Sequence, residues 1–335
     1  MVKTKKYILA KHFIGEPKLT DFKLVEEELP KLEEGEILCE SLWLSVDPYM
    51  RKYTDFQMEG TVMPGGVVAR IAESRDPEFP KGRYVAAYFG WRTRTIYNTR
   101  EENKSIYPKP YLLPDFGDLP LSLGLGVLGM PGITANFGFL EVCEPQPGET
   151  VVVNGAAGAV GSIVGQIAKI VGCRVIGFAG SDAKVKWLKE KLRFDAAYNY
   201  KTTKISDALR EAAPKGVDCF FDNVGGAFSN EVFRRMNTKG RVCVCGAIAG
   251  YNAGFENVLV PMVQPYILSK ELKVQGFIVW NHASRWLQAI QENMRWINEG
   301  KIVSEETITE GFENAPKAFI GMLRGDNIGK AVVQI

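Results

Sequence analysis

The run from Thr150 to Gly165 carries the chemistry most readily named from residue types. Three β-branched residues, Val151 to Val153, lead into Asn154-Gly155-Ala156-Ala157-Gly158-Ala159-Val160-Gly161, and Ser162-Ile163-Val164-Gly165 continues as a helix-length apolar segment. Small residues at Ala156, Ala157 and Gly158 let backbone N–H groups approach a pyrophosphate, whose charge the N-terminus of the following helix favours. Gly161, turned to the sheet, permits close helix packing. A Gly-x-x-Gly-x-x-Gly pattern by itself also describes a plain structural turn, but a strand before it, a helix after it and a second strand about 20 residues on point to a dinucleotide.

The end of that second strand chooses the dinucleotide. An acidic residue there would hold the adenosine ribose hydroxyl of NAD. Here the strand closes on Ala179-Gly180-Ser181-Asp182, in which Ser and Asp suit a helix cap, and Lys184 stands where it reaches a 2′-phosphate. Tyr200, closing the third strand, flanks the same phosphate with its hydroxyl. An exposed helix lysine and a strand-end packing tyrosine are the competing readings of the two. Together they favour NADPH over NADH.

Other chemistries find little support. The chain has 2 histidines, His12 and His282, with no cysteine at metal-ligand spacing beside either, so a catalytic zinc is not expected. Cys243 and Cys245 are placed on one strand, sharing a face, and a pair alone does not complete a structural zinc site. Gly-x-Ser-x-Gly is absent, which disfavours a serine hydrolase.

Positioning this turn requires a sheet. Six β-type runs, Thr150 to Asn154, Cys173 to Ala179, Ala197 to Tyr200, Val217 to Asp222, Arg241 to Gly246 and Lys273 to Val279, alternate with helix-length segments such as Ala156 to Val171 and Lys184 to Leu192. That cadence predicts a doubly wound parallel sheet of the Rossmann type. The first 120 or so residues instead hold short β-type runs, Ile37 to Leu44, Gly66 to Ala72 and Tyr84 to Phe89, broken by Pro and Gly. After an amphipathic segment from Ser284 to Glu299 the tail alternates again and is expected to rejoin this β-rich part, with a tight cleft between the two domains. The division is 1–124 with 303–335, and 125–302.

Length and charge agree. At 335 residues with 46% hydrophobic and 24% charged residues the chain suits two globular domains, and a net charge of +2 supplies no general field for nucleic acid or acidic membrane. No apolar run approaches the roughly 18 residues of a bilayer span. The basic N-terminus, whose apolar stretch ends at Lys11, does not form a secretory core. Six scattered cysteines are expected as reduced thiols, and the protein as cytoplasmic.

Several longer motifs resemble one family. Ser45-Val46-Asp47-Pro48-Tyr49-Met50-Arg51, Gly129-Met130-Pro131-Gly132-Ile133-Thr134-Ala135, the turn and helix from Ala156 to Lys169, Phe221-Asp222-Asn223-Val224-Gly225-Gly226, Cys245-Gly246-Ala247-Ile248 with Tyr251-Asn252, and Gly325-Asp326-Asn327-Ile328-Gly329-Lys330 are similar to the zinc-free medium-chain reductases of the prostaglandin reductase 1 group, across nearly the whole chain. The resemblance implies a GroES-like β-rich catalytic domain built from both chain ends, a Rossmann domain between them, NADPH in the cleft, and a homodimer. It places cofactor contacts on Ala157, Gly158, Ala159, Val160 and Gly161, on Lys184, Tyr200 and Asn223, on Cys245, Gly246, Ala247, Ile248 and Tyr251, on Phe277, Ile278 and Val279, and on Asn327, with Met130 and Thr134 lining the nicotinamide side. Asn223 and Asn327 are also plain turn formers in their Gly-rich surroundings.

The reaction implied is reduction of the carbon–carbon double bond of 2-alkenals, enones and 15-oxo-prostaglandins, with hydride to the β-carbon and negative charge on the carbonyl oxygen. Without zinc, hydroxyl donors must hold that charge; the nicotinamide ribose 2′-hydroxyl and Tyr251 are the first candidates, with Tyr49 facing the nicotinamide from the catalytic domain. Loop or packing roles compete for both tyrosines. The chain departs from the family pattern where Ser269-Lys270-Glu271-Leu272 replaces Tyr-Gln-Glu-Leu; Ser269, or Tyr266 one turn earlier, is then the substitute donor, and eicosanoid substrates are in doubt. The apolar segment from Asn252 to Leu268 suits either a lipophilic pocket or a dimer surface. A quinone reductase of the same superfamily, and a non-enzymatic nucleotide-binding protein, are the competing functions.

Overall fold

A computed structural model describes residues 2–103 and 105–335; the initiating Met1 of the basic N-terminus lies outside them. The chain forms two compact units, Met1–Leu125 with Glu306–Ile335, and Gly126–Glu305. The first begins with β1 (Val2–Leu9) and β2 (Phe22–Leu29), an antiparallel pair, followed by β3 (Glu36–Ser45), the short helix α1 (Tyr49–Tyr53), β4 (Val67–Ser74), β5 (Tyr84–Ala87), β6 (Arg94–Asn98) and β7 (Tyr111–Leu112). The sequence runs locate β3, β4 and β5; β1 and β2 mix charged and apolar residues too irregularly to stand out, and β6 and β7, of 5 and 2 residues, are too short.

The second unit opens with α2 (Met130–Phe137) and continues as β8 (Thr150–Val153), α3 (Gly161–Val171), β9 (Arg174–Ala179), α4 (Asp182–Glu190), β10 (Ala196–Asn199), α5 (Ile205–Ala212), β11 (Val217–Asp222), α6 (Gly226–Arg235), β12 (Met236–Val244), α7 (Gln264–Ser269), β13 (Lys273–Gly276) and α8 (Trp286–Asn298). The six strands are all parallel, in the order β10-β9-β8-β11-β12-β13. This is the doubly wound arrangement, with the order reversing between β8 and β11. Val151 to Val153 and Val175, Ile176 and Phe178 are wholly buried because helices cover both faces of the sheet.

Local chemistry sets the helices. Ser181 caps α4 by accepting from the Lys184 amide at 3.4 Å, and Gly172, at φ +95°, ends α3 in the left-handed conformation. The first crossover helix starts at Gly161 rather than Ala156, since residues 156–160 are spent on the turn. Gly165 on α3 lies against Phe194, whose ring would be 1.9 Å from an added Cβ.

The tail contributes β14 (Glu306–Glu310), α9 (Ala315–Arg324) and β15 (Lys330–Gln334). It enters the first unit's seven-stranded sheet, in which β14-β15-β3-β4-β5-β7 run in order and β6 also pairs with β3. Phe319 of α9 packs on Phe13, Phe22 and Trp91, closing that core. Lys330 is buried, its Nζ donating to Asp47 Oδ1 at 2.9 Å and to the carbonyls of Val46 and Ala331 at 2.8 Å, while Ser45 donates to the other Asp47 oxygen. The ammonium thus has three acceptors, which is what a buried ion pair needs to offset desolvation.

Candidate active site

The carboxyl edge of the parallel sheet at its point of reversal is where such sheets bind ligands. There β8 passes into the 154–160 turn. Gly155 takes φ +56° and accepts from the Gly158 amide at 3.0 Å, while Ser162 and Val164 donate to Gly158 and Val160. The amides of Ala159, Val160 and Gly161 lie at the start of α3, where Val160 at the N-cap makes no side-chain cap. Three N–H groups at a helix N-terminus therefore suit an anion. A Cβ on Gly161 would lie 2.5 Å from the Gly155 carbonyl oxygen, so the turn tolerates no side chain there.

A buried polar knot fixes the neighbouring strand ends. Asn154 donates from Nδ2 to Asp222 Oδ1 at 2.7 Å; its own Oδ1 accepts from the Asn223 amide at 2.6 Å, and its carbonyl from Asn223 Nδ2 at 2.9 Å. Asp222 further accepts from the amides of Val224 and Gly225 and from Ser229 Oγ, at 3.0, 2.8 and 2.6 Å. The amides of Cys245 and Gly246 donate to the Asp222 carbonyl, at 2.8 and 3.1 Å. Asn223 is thus held by its backbone and side chain. Asn154 and Asp222, both buried, were not among the site residues expected from sequence; a polar residue directly after three buried valines was the available signal.

Beyond the knot lies the 245–251 loop. β12 ends at Val244, so Cys245 stands just past the strand, partly exposed, and only Cys243 is packed in the core; the two do not share a strand. Burial, then the charge of Asp222, pushes the Cys245 thiol up to about 12, leaving it neutral. Gly246 comes so close to Asn223 that a Cβ would sit 2.9 Å from its carbonyl oxygen. Ala247 precedes a single turn, Ile248–Gly250, after which Tyr251 is half-buried and meets Phe255 edge-on at 6.1 Å. β13 likewise ends early, at Gly276. Phe277 and Val279 are buried beyond it and Ile278 is 53% exposed, because pairing to β12 stops once Phe277 donates to the Val244 carbonyl.

Lys184 lies half-buried in the first turn of α4. Asn199 Nδ2 donates to Asp182 Oδ1 at 2.8 Å, joining the end of β10 to that turn, and Tyr200, one residue past β10, sets its hydroxyl over Gly180, 3.2 Å from where a Cβ would be. The two expected phosphate-flanking residues are therefore carried by linked segments. In α2, Met130 is partly exposed and Thr134 buried, with Thr134 Oγ1 donating to the Met130 carbonyl at 2.7 Å; its hydroxyl is occupied within its own helix.

The remaining expected residues divide. The hydroxyl of Tyr266, proposed as a donor that swings in, instead accepts from Arg234 Nε at 3.1 Å, which anchors it to α6. Ser269 is exposed at the end of α7. Asn327 and Tyr49 belong to the other unit. Asn327 Nδ2 donates to the Gly329 carbonyl at 2.7 Å, a turn contact. Burial first, then the charge of Asp47, holds the Tyr49 phenol well above its usual range, so it remains a proton donor. His282 stacks on Phe277 at 4.9 Å, and among the described residues no three His, Cys, Asp or Glu side chains converge on a common point.

A doubly wound six-stranded sheet with an uncapped glycine turn at its reversal, in a chain that also makes a β-rich unit from its two ends, defines the medium-chain dehydrogenase/reductase class. Family models agree: "N-terminal domain of oxidoreductase" matches residues 5–105 and "Zinc-binding dehydrogenase" residues 159–297. The chain is 51% identical to prostaglandin reductase 1 of Bos taurus over 337 aligned positions covering 100% of both, and 38% identical to the NADP(+)-dependent 2-alkenal reductase of Nicotiana tabacum over 100% of the chain and 98% of the relative. The solved structure of CurA in complex with NADPH from Vibrio vulnificus is 36% identical, covers 98% of each chain and superposes with a TM-score of 0.88. The chain belongs to the prostaglandin reductase 1 group of that family.

Proposed function

We propose that the protein is an NADPH-dependent reductase of the carbon–carbon double bond in α,β-unsaturated aldehydes and ketones. The observation that carries this is full-length identity of 51% to a prostaglandin reductase, together with a turn whose three amides and glycine spacing fit a pyrophosphate. NADPH supplies the hydride that reaches the β-carbon. The chain's own part is to seat the cofactor and to steady charge. The amides of Ala159, Val160 and Gly161 receive the pyrophosphate, with Ala157 and Gly158 leaving room. Lys184 and Tyr200 take the 2′-phosphate. Asn223, the 245–251 loop, Phe277 to Val279 and Asn327 contact the cofactor, and Met130 with Thr134 line its nicotinamide side.

As hydride arrives, charge gathers on the substrate's carbonyl oxygen, and a hydroxyl donor there is worth about 2.7–4 kcal/mol when it is preorganised. Tyr251 is assigned that role, with Tyr49 positioning substrate. Ser269 is assigned a water-mediated contact to substrate; the Arg234 bond leaves Tyr266 a supporting position.

The protein works in the cytoplasm on lipid-derived enals and enones, as a homodimer. Supporting the dimer, β13 ends the sheet with all four residues exposed, and Leu259, Met262 and Leu268 nearby in the sequence are 90, 70 and 82% exposed. No helix among the described residues is long and apolar enough to cross a membrane.

The test is NADPH oxidation by purified protein with a medium-chain 2-alkenal, a 15-oxo-prostaglandin and a quinone, NADH serving as control donor. Turnover of the alkenal with NADPH is expected. Quinone turnover alone would replace this reading with the quinone reductase. Tyr251→Phe should cut the alkenal rate by about 100-fold or more with NADPH affinity kept; an unchanged rate would remove Tyr251 as the donor.

A further inference from the structure

We propose that Tyr107, on the irregular segment between β6 and β7, is a specificity-determining residue that selects substrates with an aryl or extended apolar group beside the reacting enone. The inference rests on the enone reductase reading and adds the part of the substrate that reading leaves open.

Tyr107 joins a group of phenol rings drawn from three separate parts of the first unit. It stacks face to face on Tyr88, with centroids 4.9 Å apart and planes 9° from parallel. It also meets Tyr49 at 6.3 Å and Tyr53 at 6.2 Å, and those two meet each other edge-on at 5.1 Å. These are the separations at which aromatic rings attract. Unlike the large aromatics Trp91, Phe22 and Phe319, which are sealed in the core of that unit, all four tyrosines are only partly buried, with Tyr49 packed against that core, so the group sits at its margin.

The segment that delivers Tyr107 is built to hold a pose without regular structure. Asn103 Oδ1 accepts from the Ser105 amide at 3.1 Å, Ser105 Oγ accepts from the Tyr107 amide at 3.1 Å, and Asn103 Nδ2 donates to the Tyr107 carbonyl at 2.7 Å. Side chain to backbone bonds of this kind fix a turn where no ladder does. Next to the tyrosines in sequence, Phe56, Met58 and Ile106 are 81, 77 and 64% exposed, an apolar margin in keeping with an apolar ligand. Since Tyr49 is assigned to position substrate, a ring in contact with it from a pinned loop sets what flanks the enone.

The test compares Tyr107→Ala, Tyr107→Leu and Tyr107→Phe with the unaltered enzyme, using NADPH and two substrates, 4-phenyl-3-buten-2-one and 2-butenal. A ring contact worth the usual aromatic-pair energy predicts that Tyr107→Ala and Tyr107→Leu raise KM for the phenyl enone about two- to tenfold. They should leave kcat/KM for 2-butenal and NADPH affinity within about twofold, and Tyr107→Phe should keep the original preference. Equal losses on both substrates, or an unaltered preference in whichever of the Ala and Leu variants folds, would overturn the proposal. An unaltered enzyme that reduces neither substrate would instead refute the reductase reading, which is a separate and prior failure.

Discussion

Gly161→Ala is the sharpest perturbation of the turn. The added methyl carbon would lie 2.5 Å from the Gly155 oxygen, 2.9 Å from the Ala156 Cα and 3.0 Å from the Gly155 carbonyl carbon, all backbone atoms that cannot rotate aside. Relief requires α3 to retreat by about 1 Å to reach ordinary contact distances. Overpacking of this kind costs about 1–3 kcal/mol. Because the same backbone presents the amides of Ala159, Val160 and Gly161, the retreat also takes the donors and the positive end of α3 away from a bound phosphate, an interaction of about 0.3–2 kcal/mol. NADPH should therefore bind about 2- to 30-fold more weakly. Titration calorimetry of wild-type and variant protein, with thermal denaturation of each without cofactor, separates the two effects. A variant that binds NADPH as tightly as wild type would refute the assignment of the cofactor to this turn.

Lys184→Ala should weaken NADPH by at least tenfold while leaving NADH nearly unaffected, read from fluorescence titration with each; equal losses would remove the lysine from the 2′-phosphate. Glu306, whose Oε2 accepts from Ser122 Oγ at 2.6 Å, is raised above its ordinary value near 4.5 chiefly by burial, against the bond from Ser122 and the charge of Lys330. Native protein thus holds this proton more tightly than unfolded chain, so the stability it lends is full below about pH 4.5 and is lost as pH rises through the raised value. Glu306→Gln should flatten the fall of denaturation midpoint with rising pH just above 4.5, and an unchanged profile would contradict the assignment. Lys330→Met, which strands the buried Asp47 carboxylate, should lower unfolding free energy by about 3–5 kcal/mol, and the double change with Asp47→Asn should recover much of it.

How far the sequence reached depended on the range of the interaction. The six strands of the parallel sheet and the cap at Ser181 are local consequences of β-branched runs and turn residues, and were legible. The knot of Asn154, Asp222 and Asn223 was not, because it joins residues 68 and 69 positions apart that each pass for a turn former alone. Helix α9 was missed in the tail, where the alternating runs on either side of it drew the whole segment into a strand reading, although Ala315, Phe319, Ile320 and Met322 share one buried face at helical spacing. The early ends of β12 and β13 moved Cys245 and Phe277 to Val279 off the strands, since strand length is set by the neighbour and not by the apolar run. Two family motifs, one around Asp47 and one around Lys330, proved to be the halves of a single buried pair.

That pair spans 283 positions, and the whole nucleotide-binding unit is threaded between its members. A chain emerging from the ribosome can complete the inserted sheet while Asp47 still waits for its ammonium. The β-rich unit must therefore mature last, and trimming a handful of residues from the C-terminus would cripple the end of the protein made first.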